Sequence, residues 1–220
     1  WFNTPAKTVY PVRGVDVSSY QGAIDWPLLA AQGIDFTFIK ATEGSGFTDR
    51  QFEFNLENAL QTDLFVGAYH FFSFESAGEA QAAHYIETVP DHDGMLPPVV
   101  DLEFYGEAKK TPPAREDVRR ELTALLEALR AHYGRVPILY ATGDTCARYL
   151  SEGFGEYPIW YRSLFSEPAL PEGRDWTFWQ YCNRGRLDGY KGSEWYIDLN
   201  VFCGSREALA KLTERESPAA

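Results

Sequence analysis

Pro97-Pro98-Val99-Val100-Asp101-Leu102-Glu103-Phe104-Tyr105 is a short apolar run that ends in two carboxylates and two aromatic rings. Two prolines open it and Gly106 closes it, which suits a buried strand of ordinary length. Side chains alternate along a strand, so Asp101 and Glu103 share a face, with Cα atoms roughly 6.6 Å apart at two rises of about 3.3 Å. Two carboxyl groups this close, partly shielded from water, raise the proton affinity of one while the other stays ionised. A proton donor beside an anion is the equipment for cleaving a glycosidic bond. Acids are also common at solvated strand ends, so the pair gains weight only from what surrounds it.

Upstream, Arg13 to Val17 reads as a first strand with Asp16 in its apolar middle, where an acid costs free energy unless it is paired or functional. Asp25 is an N-cap for a short helix opened by Trp26-Pro27 and stopped at Gly33. Residues 36–42 form a second strand, with Lys40 on the face of Phe38, and residues 49–61 a helix. Residues 64–72 form a third strand, with Gly67, Tyr69 and Phe71 on one face. Ser76-Ala77-Gly78-Glu79 has the form of a capping box and starts a helix to about Val89. Downstream, Thr111-Pro112-Pro113 launches the longest helix. Its Val118, Leu122, Leu125, Leu126 and Leu129 recur at helical spacing, and Gly134 stops it. A strand over 137–142 carries Tyr140, and a short helix follows over 144–150. The pattern then changes: strands over 158–163, 177–182 and 196–202 have little helix between them, and a last helix covers 206–214.

Five strand-helix units followed by three strands predict one barrel closed by antiparallel strands. The barrel is expected over residues 13–214, with a loose lead-in over 1–12 and a polar, mobile tail over 215–220. Such barrels place their chemistry at the carboxyl ends of the parallel strands. Several strands offer a polar or aromatic residue there: Asp16, Lys40, Tyr69, Asp101, Glu103, Tyr140 and Trp160, joined by Gln180 and Asp198 from the last two strands. So many inward polar groups are hard to explain as packing.

Composition narrows the function. The 220 residues are 45% hydrophobic and 24% charged, an ordinary globular balance, and no apolar run reaches the length of a membrane span. A net charge of −12 leaves no basic patch to neutralise phosphates, so nucleic acid is excluded as a partner. An aromatic content of 15% suits stacking on sugar rings as well as core filling. Cys146, Cys182 and Cys203 form neither an even disulfide framework nor metal-ligand spacing, and the four histidines are scattered, so neither a metal nor another cofactor is expected. If the last two strands pair as a hairpin, Cys182 lies near Asp198 and away from Cys203, which predicts free thiols. The chain begins at Trp1 and its only methionine is Met95, so a processed amino terminus is expected.

Seven segments, in one order over residues 13–203, carry a resemblance. They are Gly14-Val15-Asp16-Val17-Ser18-Ser19-Tyr20-Gln21-Gly22, Phe38-Ile39-Lys40-Ala41-Thr42-Glu43-Gly44, Gly67-Ala68-Tyr69-His70-Phe71-Phe72, Val100-Asp101-Leu102-Glu103, Ile138-Leu139-Tyr140, Phe178-Trp179-Gln180-Tyr181 and Ile197-Asp198-Leu199-Asn200. Together they resemble the family 25 glycoside hydrolases, the Chalaropsis-type lysozymes. The resemblance implies an α/β fold, a single modified TIM-like (β/α)5(β)3 barrel. It also implies hydrolysis, with retention, of the β-1,4 bond between N-acetylmuramic acid and N-acetylglucosamine in peptidoglycan; an extracytoplasmic location and a monomeric state are expected beside it. Carried over by position, Glu103 is the general acid/base. Asp101 either attacks the anomeric carbon or positions the substrate's own N-acetyl group to do so, and Asp16 and Asp198 are supporting acids. Lys40, Tyr69, Phe71, Tyr140, Trp160 and Gln180 are the candidate substrate contacts. The segment Tyr157-Pro158-Ile159-Trp160-Tyr161-Arg162 matches only loosely. Two other readings compete. A chitinase-like barrel would carry Asp-x-Asp-x-Glu, but Val99 stands in place of its first acid. A glycan-binding barrel without activity would be expected to have lost the acids that are present here.

Overall fold

Strand alternation and a helix after most strands build a barrel in the computed structural model, which describes residues 3–216; Trp1-Phe2 of the expected lead-in and residues 217–220 of the expected tail lie outside the described residues. The strands are β1 (Arg13–Val17), β2 (Phe36–Glu43), β3 (Phe47–Thr48), β4 (Phe65–Phe71), β5 (Val99–Leu102), β6 (Ile138–Ala141), β7 (Ile159–Arg162), β8 (Phe178–Gly185) and β9 (Ile197–Phe202). The α-helices are α1 (Trp26–Ala30), α2 (Phe52–Ala59), α3 (Gly78–Thr88), α4 (Arg115–Tyr133), α5 (Gly143–Tyr149) and α6 (Arg206–Lys211). The sheet runs β1-β9-β8-β7-β6-β5-β4-β2, and a β1–β2 pairing closes the ring; β3 only extends the end of β2. The barrel therefore has eight staves. Its closure differs from the expectation in one respect: β7 pairs parallel with both β6 and β8, and β9 is the stave that runs antiparallel, to β8 and to β1. Residues 163–177 supply the long crossover that parallel pairing needs, whereas the turn around Gly189 brings β9 straight back beside β8.

Two apolar cores hold the ring. One lies between the barrel and its helices and takes in the buried stripe of α4, whose end is set by Gly134 in the left-handed region at φ 61°. The other fills the barrel itself. There Phe36, Phe38, Val99, Ile138, Trp160, Phe178 and Phe202 project inward from successive staves. The Phe38 ring centroid lies 4.7 Å from that of Trp160, and Phe36 and Phe38 each lie 5.2 Å from Phe178. Gly14 and Gly67 make room for these rings. A Cβ on Gly14 would sit 2.3 Å from the Phe36 ring, and one on Gly67 2.6 Å from the Phe38 ring.

Three local expectations are corrected. Ser76 does not cap α3; Ala77 stands at that position, and the Gly78 amide donates to Glu121 Oε2 of α4 at 2.8 Å. The two helices pass so closely that the cap comes from across the interface. The lead-in is packed, not loose: Pro5 accepts from the Arg13 guanidinium, and Tyr10 lies against Trp176 and Trp179. The first two tail residues are also tied down, Arg215 by Asp91 and Asp93, and Glu216 by Arg130. All three cysteines are unbridged, and Cys182 stands opposite Leu199 in the β8–β9 ladder. Among the described residues no helix is long and apolar enough to cross a membrane.

Candidate active site

The inward-facing rows change character along the barrel. On each parallel stave the inward residues near the amino end are apolar or glycine, and two positions on they become polar: Gly14 gives way to Asp16, Phe38 to Lys40, Gly67 to Tyr69, Val99 to Asp101 and then Glu103, Ile138 to Tyr140, Trp160 to Arg162, and Phe178 to Gln180. The antiparallel stave β9 runs the other way, so Asp198 and Asn200 come first and Phe202 last. All the polar ends therefore meet at one mouth. All but the fully buried Asn200 line a cleft of about 350 Å³, within the range of small-ligand sites, together with Tyr20, Gln21, Asn183, Glu194 and Tyr196 from the surrounding loops.

Of the ten residues expected to act or bind here, nine line the cleft: Asp16, Lys40, Tyr69, Phe71, Asp101, Glu103, Tyr140, Gln180 and Asp198. Trp160 is the correction. It is only 2% exposed, sits one layer below the mouth between Phe38 and Tyr140, and donates its indole N–H to Asn200 Oδ1 at 2.8 Å. The mouth residue of that stave is Arg162, whose Nη1 lies 3.8 Å from Glu103 Oε2. Arg162 and Asn200 were missed, although each stands two positions along the same face from a residue that was chosen.

The carboxylates fall into two pairs. Asp16 and Asp198 face each other across the antiparallel β1–β9 ladder. Gln180 Nε2 donates to Asp16 Oδ2 at 2.9 Å and to Asp198 Oδ2 at 3.2 Å, and Asn200 Nδ2 donates to Asp16 Oδ2 at 2.8 Å. Burial pushes Asp16 above the usual carboxylate range, while the Asn200 and Gln180 donors pull it back. Asp198 rises to about 9, chiefly by burial and then by the charge of Asp16. Within the pair the proton is favoured on Asp198, whose hydrogen bond to Asp16 lowers the proton affinity of Asp16 and raises its own.

Asp101 and Glu103 form the second pair. Asp101 is the penultimate residue of β5, and Glu103 stands one residue beyond the strand's end, two positions from Asp101 on the same face. Burial, then the charges of Glu103 and Asp16, hold Asp101 well above the usual range. Burial also raises Glu103, and Arg162 partly offsets the rise. Asp101 Oδ1 is buried and finds no hydrogen-bond partner among the described residues, which is costly unless a ligand supplies a donor. Lys40 binds Glu43 at 2.7 Å and lies 4.9 Å from the centre of the Phe71 ring, so a cation and an aromatic face flank one wall. Among the described residues no group of three or more His, Cys, Asp or Glu side chains is placed to hold a metal ion.

Known proteins resemble this chain in sequence and fold. The sequence profile described as "Glycosyl hydrolases family 25" matches residues 15–190. The chain is 32% identical to Lysozyme M1 of Streptomyces globisporus over 211 residues, covering 91% of this chain and 71% of that one. It is likewise 32% identical to the N,O-diacetylmuramidase of Chalaropsis sp, covering 91% and 98%. A solved family 25 glycosyl hydrolase from Bacillus anthracis superposes with a TM-score of 0.91 at 50% identity, over 96% of this chain and 97% of that one. With that profile spanning most of the barrel, and with relatives of this identity and coverage, the chain belongs to glycosyl hydrolase family 25.

Proposed function

We propose that the protein is a peptidoglycan hydrolase of the lysozyme type, an N-acetylmuramidase that acts on the cell wall outside the cytoplasm. Its substrate is the β-1,4 bond between N-acetylmuramic acid and N-acetylglucosamine. The observation that carries the reading is the convergence of Asp16, Asp101, Glu103 and Asp198 on one cleft at the carboxyl end of the barrel. The relatives named lysozyme and muramidase agree with it.

Glu103 is the general acid/base in this reading. It is the less buried of the reacting pair, and its raised proton affinity suits a donor to the leaving oxygen. Asp101 is the more deeply buried, so the shared proton favours it in the free enzyme. The unpartnered Asp101 Oδ1 is what the N–H of a sugar acetamido group would meet on binding. That hydrogen bond favours the carboxylate form of Asp101 and leaves the proton to Glu103. Asp101 then holds the acetamido group so that its carbonyl oxygen closes on the anomeric carbon, a substrate-assisted route that retains configuration. Arg162 opposes excess negative charge at the mouth, and Lys40, Tyr69, Phe71, Tyr140 and Gln180 contact the sugars.

The products test the reading. Digested walls, reduced with borohydride and analysed by mass, are expected to carry reduced muramic acid at the new ends. Reduced glucosamine at those ends would assign the other linkage, and intact walls would leave a binding barrel.

A further inference from the structure

Asp16 is held by two amides, and an amide can present either its N–H groups or its carbonyl, depending on its other contact. Gln180 Oε1 lies 3.0 Å from the Tyr140 hydroxyl, a group that both donates and accepts, so this contact alone does not orient Gln180. Asn200 is different. Its Oδ1 accepts from Trp160 Nε1 at 2.8 Å, and an indole N–H only donates. Asn200 must then turn its NH2 group to Asp16, where Nδ2 lies 2.8 Å from Oδ2. Asn200 is fully buried, and the Trp160 ring is wedged with centroids 4.7 Å from both Phe38 and Tyr140.

We propose that Trp160 and Asn200 are positioning residues: the indole N–H fixes the Asn200 amide so that its NH2 group holds Asp16 as an anion behind the reacting pair. The groups that face Asp16 come from every neighbouring stave: Asp198 from β9, Lys40 from β2, Tyr69 from β4, Asp101 and Glu103 from the end of β5, Tyr140 from β6 and Arg162 from β7. The Asp16 charge raises the proton affinity of both Asp101 and Glu103. Loss of the indole donor frees Asn200 to turn, Asp16 takes up a proton more readily, and Glu103 releases its own at lower pH.

The activity arm of the test rests on the proposed hydrolysis; the titration arm does not. W160F keeps a ring and removes the N–H, and N200L keeps approximate volume and removes the amide. With carboxyl-labelled protein, the Asp16 midpoint followed by carbon NMR is expected to rise by about half a pH unit or more in either variant. The basic limb of kcat/KM on soluble glycan is expected to move to lower pH by a similar amount. A purely structural role would lower the melting temperature and move neither quantity, and that result in a folded variant overturns the proposal. The unsubstituted protein gives a further arm: the side-chain amide protons of Asn200 are expected to titrate with Asp16, and no response overturns the proposal even if neither variant folds. If the wild type cleaves no glycan, the hydrolytic reading falls while the Asp16 titration still decides the relay.

Discussion

Asp198→Asn replaces an acid with a neutral group of the same shape, and its effect on stability has a definite sign. The native Asp198 carboxyl sits at about 9, whereas an unfolded aspartate titrates near ~3.9. A carboxyl raised in the folded state binds its proton more tightly there, so the native form holds more protons between those values. Stability is therefore lost as pH rises from about 4 to 9. At roughly 1.4 kcal/mol per unit, about three units have been crossed at pH 7, an upper bound of ~4 kcal/mol. Relaxation of the coupled Asp16 reduces this to an order of 1–2 kcal/mol, or about 2–8 °C in a domain of this size. Asparagine removes the liability, and its amide still donates to Asp16. The measurement is thermal unfolding of wild type and D198N from pH 4 to 8. The variant's advantage is expected to grow with pH from near zero. A difference that stays constant, or that turns against the variant as pH rises, would show that Asp198 is an anion in the native state and refute the assignment of the proton.

Further expectations follow from single contacts. Arg162→Ala removes the cation 3.8 Å from Glu103, which lowers that group's proton affinity; the basic limb of the pH–rate profile is expected to move to higher pH, and a shift to lower pH would contradict the pairing. Gly14→Ala places a Cβ 2.3 Å from the Phe36 ring, so chemical denaturation is expected to show a loss of about 1–3 kcal/mol, the scale of overpacking. Thiol titration of the denatured, unreduced protein is expected to count the three free cysteines; a count of one would reveal a bridge.

Much of the barrel is legible because period-2 alternation and turn residues are local signals. The α1 cap at Asp25, the stop at Gly134 and the inward placement of Asp16 and Lys40 all follow from neighbours within a few residues. The misreadings are of another kind. Ser76 fails as a cap because Glu121, far away in sequence, reaches the Gly78 amide first. Trp160 is misplaced by one layer because sequence alone does not show how far up each stave the mouth begins, and strand shear around the barrel sets that height. Asn200 looks like a strand amide until Trp160 and Asp16 are brought to either side of it. The protonation of Asp198 depends on burial and on a partner across the barrel closure, and neither is a property of its own segment.

The central claim is that Glu103 supplies the proton for glycosidic cleavage, and it is tested most directly by comparing wild type with Glu103→Gln on purified peptidoglycan, with turnover and melting temperature measured on the same preparations. A folded variant with an unchanged transition and turnover lowered by about 10²–10⁴-fold, the scale of general acid catalysis, is the predicted result; wall hydrolysis at near wild-type rate by that folded variant would contradict the account.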